Sequence, residues 1–285
     1  MSLYTAAVDL GSGFTKAVVI AADEESHSCV IGRGRVKTGI DLEGAAGRAL
    51  AAAVADAGLG AGDVSYTATT GFGRYGFSAR DIQITDITSA ACGAHHLHPE
   101  APVVLDIGNQ ATRAIAVTPE GRVKTFKTND KCAAGSGSFI GRAAKYLEVP
   151  LEEVGAIALK ANNPQPISSV CAVLAESEII NLVSAGVSIE DILRGIYDSL
   201  AERAGTLLRR VGLGSEITFI GGVARQQGMV KAIESRLGVK VHVPDDADYV
   251  CAIGAALLGQ RRAAAQRGGT VNEPRVSATG SPAMR

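Results

Sequence analysis

An internal repeat is the feature of this sequence that most limits its possible folds. Residues 9–20 read DLGSGFTKAVVI and residues 106–117 read DIGNQATRAIAV, and the two segments align without a gap. They share Asp, Gly, Thr and Ala at aligned positions, and Lys16 aligns with Arg113. Each segment follows an apolar run and leads through a turn into another, a pattern typical of a strand, a turn and a second strand. We therefore predict a duplicated fold in which each half begins with the same hairpin.

Helical and extended patterns alternate along the rest of the chain, which favours an α/β fold. Ser188 has the pattern of a helix cap, because Asp191 follows three residues later. The predicted helices cover 41–57, 171–184, the segment from Ser188 to Gly212, and 250–262. The predicted strands cover Val64–Thr70, Arg122–Thr128, Ile217–Ile220 and 239–243.

The repeat also predicts how the chain divides into lobes. We expect a first lobe at residues 1–100, completed by the final helix at 250–262, and a second lobe at residues 101–249. Residues 263–285 contain Gly, Ser, Pro and Arg without a periodic apolar pattern, so we predict a disordered tail there.

Composition narrows the classes of partner. The chain has 285 residues, of which 46% are hydrophobic, enough for a sizeable core. The net charge is -1, aromatic residues make up 4%, and there is no Trp, so nucleic acid and anionic membrane are not expected partners. The N-terminus lacks the pattern of a secretory signal, and no apolar run is long enough to span a membrane. These patterns predict a cytoplasmic protein.

The two repeated loops carry the pattern of a phosphate site. A single Asp-x-Gly sequence is common in turns, but Asp9 and Asp106 both occur between two predicted strands in the same setting. Two facing loops with a carboxylate each would suit Mg²⁺ held through water, and glycine lets backbone N–H groups approach phosphate oxygens. The candidate catalytic residues are Asp9, Asp106 and Gln110. The candidate nucleotide-binding residues are Gly11, Ser12, Gly13, Thr15 and Lys16 in the first loop, and Gly108 and Asn109 in the second.

A third glycine pair follows a later strand. Gly221 and Gly222, with Val223 and Ala224, could contact the adenosine or a phosphate at a helix N-terminus, although a tight strand–helix turn alone would explain them. The chain has neither the P-loop motif nor a Rossmann fingerprint after its first strand. The three motifs together resemble those of the superfamily that contains actin, sugar kinases and Hsp70 chaperones. That resemblance implies two ribonuclease-H-like lobes with ATP in the cleft between them.

Two of the five cysteines stand out by their setting. Cys132 and Cys171 each precede a predicted helix, where the helix N-terminus favours a thiolate. We expect Cys29, Cys92 and Cys251 to be small buried apolar residues. Two thiolates cannot complete a 4Fe–4S cluster, which normally takes four, but two subunits could supply them. A merely buried role for both cysteines remains open at this point.

The two cysteine segments also resemble a narrower family. NDKCAAGSG, followed 39 residues later by a second cysteine in VCAVLAESE, is similar to 2-hydroxyacyl-CoA dehydratase activators and to ATPase subunits of benzoyl-CoA reductase. The resemblance implies that Cys132 and Cys171 of two subunits share one 4Fe–4S cluster at a homo- or heterodimer interface. ATP would then drive low-potential electrons, supplied by reduced ferredoxin or flavodoxin, to the catalytic subunits of an acyl-CoA reductase or dehydratase.

One departure from that family lies in the second loop. Members commonly carry Gly-Gly-Gln-Asp there, whereas this chain has Gly-Asn-Gln-Ala at residues 108–111. The loss of the acidic residue predicts slower hydrolysis, and it favours the smaller benzoyl-CoA reductase ATPase subunit over a homodimeric activator.

Three alternatives stay open. A small-molecule kinase of the same fold would need a base such as Glu176, Glu178 or Asp130, and would leave the two cysteines unused. A non-catalytic regulatory subunit could bind nucleotide but turn it over poorly. A metal site at His95, His96 and His98 is less favoured than a short loop before a strand.

Overall fold

The computed structural model describes residues 4–22, 28–60, 62–129, 136–167 and 172–267, which contain two five-stranded sheets. The first sheet has the strand order β3-β2-β1-β4-β5, and the second has the order β10-β9-β6-β7-β8. The strands of the first sheet are β1 (Tyr4–Leu10), β2 (Phe14–Ala22), β3 (Ser28–Lys37), β4 (Val64–Thr70) and β5 (Ile82–Gln83). Those of the second are β6 (Val103–Ile107), β7 (Thr112–Val117), β8 (Val123–Asn129), β9 (Glu216–Ile220) and β10 (Lys240–His242).

The two sheets repeat one topology. In each, the first three strands are antiparallel neighbours, and the first strand also pairs in parallel with the fourth. Asp9 lies opposite Lys16 on β2, and Asp106 lies opposite Arg113 on β7. The predicted α/β fold with a duplicated hairpin is therefore confirmed. β1 and β6 are buried along almost their whole length, which explains why both read as apolar runs.

Eight helices occur in the described residues, and none of them is both long and apolar enough to cross a bilayer. Alanines of the first helix pack on Val8 and Val19 of the first sheet, while the sixth and seventh helices pack against each other beside the second sheet. The helices are α1 (Leu42–Asp56), α2 (Asp86–Leu97), α3 (Gly137–Tyr146), α4 (Val154–Ala158), α5 (Ala172–Ser184), α6 (Ile189–Val211), α7 (Gln227–Leu237) and α8 (Val250–Arg267).

Helices α2 and α8 cross between the two sheets. α8 packs on β1, β2 and β4, whereas α2 packs on α8 and on strands of the second sheet. The backbones touch where they cross, because a Cβ atom at Gly93 would overlap the Val250 carbonyl oxygen and one at Gly254 would overlap the Ser89 carbonyl oxygen. Only glycine permits so close an approach of two helices. This crossing brings the start of each helix to the cleft between the sheets.

Helix ends follow the sequence closely, with two exceptions. The Ser188 side chain accepts a hydrogen bond from the Asp191 N–H, and Gly212 ends α6 in the left-handed conformation. α8, however, continues to Arg267 instead of ending at residue 262, while residues 268–285 lie outside the described part. The predicted loop at His95 and His96 is also wrong, since both lie in the last turn of α2.

Candidate functional site

A cavity of about 500 Å³ lies between the two sheets, where β1 and β6 end. Residues from both repeats and from the third glycine motif line it. The predicted site residues found there are Asp9, Gly11, Ser12, Gly13, Lys16, Asp106, Gly108, Asn109, Gln110, Gly221 and Gly222. Eleven of the fourteen residues proposed for catalysis or nucleotide binding thus meet in one place, although they come from three separated segments.

The first loop is held by contacts with its own half of the molecule. The Lys16 ammonium lies 2.6 Å from the buried Asp9 carboxylate. Burial by itself would lower the pKa of Lys16, but the attraction of Asp9 outweighs burial and raises that pKa above its ordinary value. The Thr38 hydroxyl donates to the Gly11 carbonyl at 2.6 Å, and the Thr15 hydroxyl lies 3.0 Å from that of Thr38. Thr15 therefore supports the loop from behind and does not line the cavity.

The second loop has a larger ion-pair group. The Arg113 guanidinium lies 2.8 Å from the Asp106 carboxylate and also contacts Asp86, the first residue of α2. Burial raises the pKa of Asp106 above its ordinary value, although Arg113 acts in the opposite direction. For Arg113, the two carboxylates outweigh burial and raise its pKa further. The cation of the second repeat is thus shared between the sheet and the crossing helix.

The two loops contact each other across the cavity. The Asn109 amide donates to the Ser12 hydroxyl at 3.4 Å, and a Cβ atom at Gly13 would lie 3.2 Å from the Asn109 side chain. The second loop also accepts two backbone hydrogen bonds from the start of α3. The Gly137 N–H donates to the Gly108 carbonyl at 2.9 Å, and the Ser138 N–H donates to the Asn109 carbonyl at 2.8 Å. The second loop is therefore joined directly to the start of α3 by backbone hydrogen bonds.

The third glycine motif closes the cavity beside Asp106. Gly221 has φ 90°, and its N–H donates to the Ala247 carbonyl at 2.8 Å. A Cβ atom there would lie 2.7 Å from an Asp106 carboxylate oxygen, so glycine is required on steric as well as backbone grounds. Val223 and Ala224 are buried in a short 3₁₀ helix and do not line this cavity. Ala224 lines a second cavity of about 570 Å³, which shares Ala247 with the first.

Several lining residues were not expected from the sequence. Gly71 has φ 87°, and a Cβ atom there would overlap an Asp9 carboxylate oxygen. Asp86 and Asp248 both lie at or just before the start of a crossing helix, which is the only sequence signal that they carry. Arg35 lies opposite Lys16 on β3 and so shares its face of the sheet.

The described cysteines differ from the prediction that all three are buried apolar residues. Cys92 is buried, as predicted, but Cys29 is exposed on the edge strand β3. Cys251 lines the cavity. Burial raises the pKa of the Cys251 thiol well above its ordinary value, and the nearby carboxylates of Asp106 and Asp9 add to this effect. The thiol is therefore protonated at neutral pH.

Cys132 and Cys171 lie outside the described residues. The helices that follow them, α3 and α5, contact each other through an ion pair of 2.6 Å between Arg142 and Glu176. Glu176 and Glu178, proposed as bases for a kinase, do not line the cavity, and Asp130 lies outside the described part. The kinase hypothesis thus gains no base from these two glutamates.

Comparison with known proteins agrees with this geometry. The model of the BadF/BadG/BcrA/BcrD ATPase family matches residues 7–259. The chain is 39% identical over 261 residues to the activator of lactoyl-CoA dehydratase from Anaerotignum propionicum, covering 92% of this chain and 99% of that protein. It is 38% identical over 264 residues to a benzoyl-CoA reductase subunit from Thauera aromatica, covering 90% of this chain and 93% of that protein.

A solved structure of a dehydratase activator is also similar to this chain. The activator of the 2-hydroxyisocaproyl-CoA dehydratase from Clostridium difficile, with bound ADPNP, has a TM-score of 0.87 and 34% sequence identity to this chain. The match covers 95% of this chain and 99% of that one, and the fold is that of the actin-like ATPases. Since the family match extends over both sheets and all three loops, the chain belongs to the BadF/BadG/BcrA/BcrD ATPase family.

Proposed function

We propose that this protein hydrolyses ATP in the cavity between its two sheets and uses the resulting change to activate electron transfer to an acyl-CoA enzyme. The observation that carries the proposal is the pair of opposed loops, each beside a buried carboxylate. The second of these loops is hydrogen-bonded to α3, the helix that follows Cys132 in the chain. The similarity to a dehydratase activator with bound ADPNP supports nucleotide binding in this cleft.

The nucleotide would occupy both cavities. Its phosphates would lie at the two loops, with Mg²⁺ held between Asp9 and Asp106 through water. Within the described ranges, no three His, Cys, Asp or Glu side chains group as ligands for one ion, so water and phosphate oxygens would complete the coordination. The adenosine would lie in the second cavity, whose lining mixes apolar residues such as Leu159 and Val230 with polar Lys231.

The link from nucleotide to α3 consists of backbone hydrogen bonds. The second loop can follow the loss of a phosphate only together with Gly137 and Ser138, which donate to it. α3 is joined to α5 by Arg142 and Glu176, so a shift of the loop reaches both helices that follow the two cysteines. A bound nucleotide can bias these helices only to the extent that it binds one arrangement better than the other.

The cysteines provide the donor chemistry for a 4Fe–4S cluster shared by two chains. Cys132 and Cys171 supply two thiolates per chain, and two chains supply the four that such a cluster takes. When bound, the cluster supplies a one-electron carrier of low potential. Leu174, Ile180 and Val183 of α5 are each about half exposed, at 54%, 52% and 49%. Ile180 and Val183 are neighbours three residues apart on α5, and Leu174 is exposed on another side of the helix, near Cys171 in the chain. Exposed apolar side chains of this kind are suited to contact with a second subunit.

An acyl-CoA dehydratase is the partner that we propose first. The sequence alone favoured a benzoyl-CoA reductase, but identity to the lactoyl-CoA dehydratase activator and to the benzoyl-CoA reductase protein is nearly equal, at 39% and 38%. The structural match with TM-score 0.87 is to an activator. Benzoyl-CoA reductase remains the second candidate, on the strength of that nearly equal identity. Reduced ferredoxin or flavodoxin is the proposed donor.

Anaerobic purification with analysis of iron, sulfide and the EPR signal tests the proposal. Wild type should carry one cluster per two chains and should hydrolyse ATP. Cys132→Ala and Cys171→Ala should lose iron and the EPR signal yet still bind nucleotide, whereas the matched control Cys29→Ala should retain both. Retention of the cluster in both variants would refute the cysteine assignment. A cluster-free wild type that phosphorylates a sugar would replace the proposal with a kinase.

A further inference from the structure

Two arginine–aspartate pairs join β3 to the segment before α8, and they differ in distance and in hydrogen bonding. Arg33 makes two contacts with Asp246, at 2.9 Å and 2.5 Å, in the paired geometry that guanidinium and carboxylate favour. Arg35 lies two residues further along the same strand, and its Nε is 3.7 Å from an Asp248 carboxylate oxygen. That distance permits ionic attraction but is too long for a hydrogen bond. The second pair is therefore incomplete.

Asp248 is buried with one of its oxygens unsatisfied. The residue is 4% exposed and lines the nucleotide cavity. Its Oδ1 accepts a hydrogen bond from Arg225 at 3.2 Å, while its Oδ2 has no hydrogen-bond partner among the described residues. A buried carboxylate oxygen without a donor is unfavourable, so this arrangement is suited to change rather than to permanent structure.

Arg35 is the loosely held cation of the cavity. Its guanidinium lies 4.0 Å from the centre of the Phe14 ring, beside the first phosphate loop, and it makes no hydrogen bond within the described ranges. Lys16 and Arg113 also line the cavity, but each is already paired with a carboxylate, and Arg74 donates to the Gly71 carbonyl. The planar donor set of an arginine matches phosphate oxygens well.

We infer that Arg35 binds the terminal phosphate of the nucleotide, and that Asp248 holds its guanidinium at the cavity edge when that phosphate is absent. The inference rests on the proposed nucleotide site. A terminal phosphate carries more charge than one carboxylate and competes for the same donors. Loss of this phosphate returns Arg35 to Asp248, so β3 and the start of α8 are joined differently in the two nucleotide states.

Equilibrium titration with ADP and with ADPNP, both with Mg²⁺, tests the inference. Arg35→Gln should weaken ADPNP binding roughly 10- to 100-fold, the range for a lost charged hydrogen bond, while ADP binding changes by less than about threefold. Arg35→Lys should recover part of the ADPNP affinity. The matched control is Arg33→Gln, which removes the neighbouring pair outside the cavity and should leave the ratio of the two affinities unchanged.

Asp248→Asn tests the competing partner. Removing the charge should strengthen ADPNP binding several-fold relative to ADP, because Arg35 is then free to meet the phosphate. An unchanged ADPNP-to-ADP ratio in folded Arg35→Gln, or an equal loss of both nucleotides, would overturn the assignment of Arg35. Weaker binding of both nucleotides in Asp248→Asn would overturn the role of Asp248. If wild type bound neither nucleotide, the proposed function itself would fail.

Discussion

The two repeated hairpins start from the same register but are supported differently. In the first, Lys16 contacts one carboxylate, and the loop accepts a hydrogen bond from Thr38, which directly follows β3. In the second, Arg113 contacts both Asp106 and Asp86, and the loop is bonded to α3. Apart from its contact with Asn109, the first loop is thus attached within its own half, whereas the second hairpin is also attached to α2 and α3. The duplicated fold provides two similar loops, of which the second is hydrogen-bonded to α3, the contact on which the proposed transmission of a nucleotide change depends.

The largest expected effect comes from removing either loop carboxylate. Asp9→Asn and Asp106→Asn should each lower ATP turnover on the order of 100-fold or more, because in the proposed function each carboxylate helps to hold the metal–phosphate group. Their effects on stability should differ. Asp9→Asn leaves a buried ammonium at Lys16 without its partner, at a cost of about 3 kcal/mol or more, while Asp106→Asn leaves Arg113 paired with Asp86.

Phosphate release and thermal unfolding measure the two effects separately. Without Asp9, burial is the largest remaining influence on Lys16, opposed only by Asp106 and Cys251, and its pKa should fall below 10.5. The stability that Asp9→Asn loses relative to wild type should therefore shrink as pH is raised. In wild type, the Lys16 contribution is fully present below 10.5 and is lost only as pH rises through the higher folded pKa. Equal loss of Tm in the two variants would contradict the difference between the hairpins.

The comparison extends to the crossing helices, where the two halves are alike. Gly93→Ala and Gly254→Ala should each destabilise the protein by about 1–3 kcal/mol, since both Cβ atoms would overlap backbone of the opposite helix. The control is Gly47→Ala in α1, where a Cβ atom meets nothing within 4 Å and helix propensity should stabilise by up to about 1 kcal/mol. Chemical denaturation measures all three. Neutral behaviour at either crossing position would mean that the helices can separate freely.

The repeat allowed much of this structure to be predicted. Aligned apolar runs and turns predicted both hairpins, and the paired aspartates predicted where the cavity lies. Thr15 was also assigned to the site, but its side chain does not line the cavity. Because Lys16 faces the cavity, its neighbour in β2 must face the other side, where it meets Thr38. The period of two in a strand therefore predicts that the Thr15 side chain faces away from the cavity.

Other residues could not have been found from local pattern. Arg35 and Asp248 are far apart in the sequence and meet only because α8 crosses back to the first sheet. Asp86 reaches Arg113 by the reciprocal crossing of α2. Hydrophobic periodicity predicts neither crossing, because it shows which face of a helix is buried but not which sheet covers that face. Long-range charge pairs of this kind follow from topology.

A smaller effect is expected from the extra carboxylate of the second hairpin. Asp86→Asn leaves Arg113 paired with Asp106 but removes the ionic link to α2, so it should cost roughly 1 kcal/mol, or about 2–4 °C in Tm. Asp198→Asn is the control, because it breaks a more exposed pair with Arg194 within one helix and should change stability by less than about 0.5 kcal/mol. If both variants unfold alike, Asp86 adds nothing that distinguishes the second hairpin from the first.

The smallest effect is on the reactivity of a thiol, Cys251, that lies near both hairpins. Labelling it tests the site without a change in stability. Cys251 lies close to Asp9 and Asp106, and its pKa is raised well above 9.0, so little thiolate forms at about pH 8. Cys29 is exposed, and iodoacetamide should therefore label it at least about tenfold faster, as peptide mass spectrometry can measure. Labelling of Cys251 should accelerate only as pH rises past 9.0, and bound nucleotide should slow it further. In denaturant, the two cysteines should react alike. Rapid labelling of Cys251 at about pH 8 in the folded protein would show that the thiol is less buried than the structure places it.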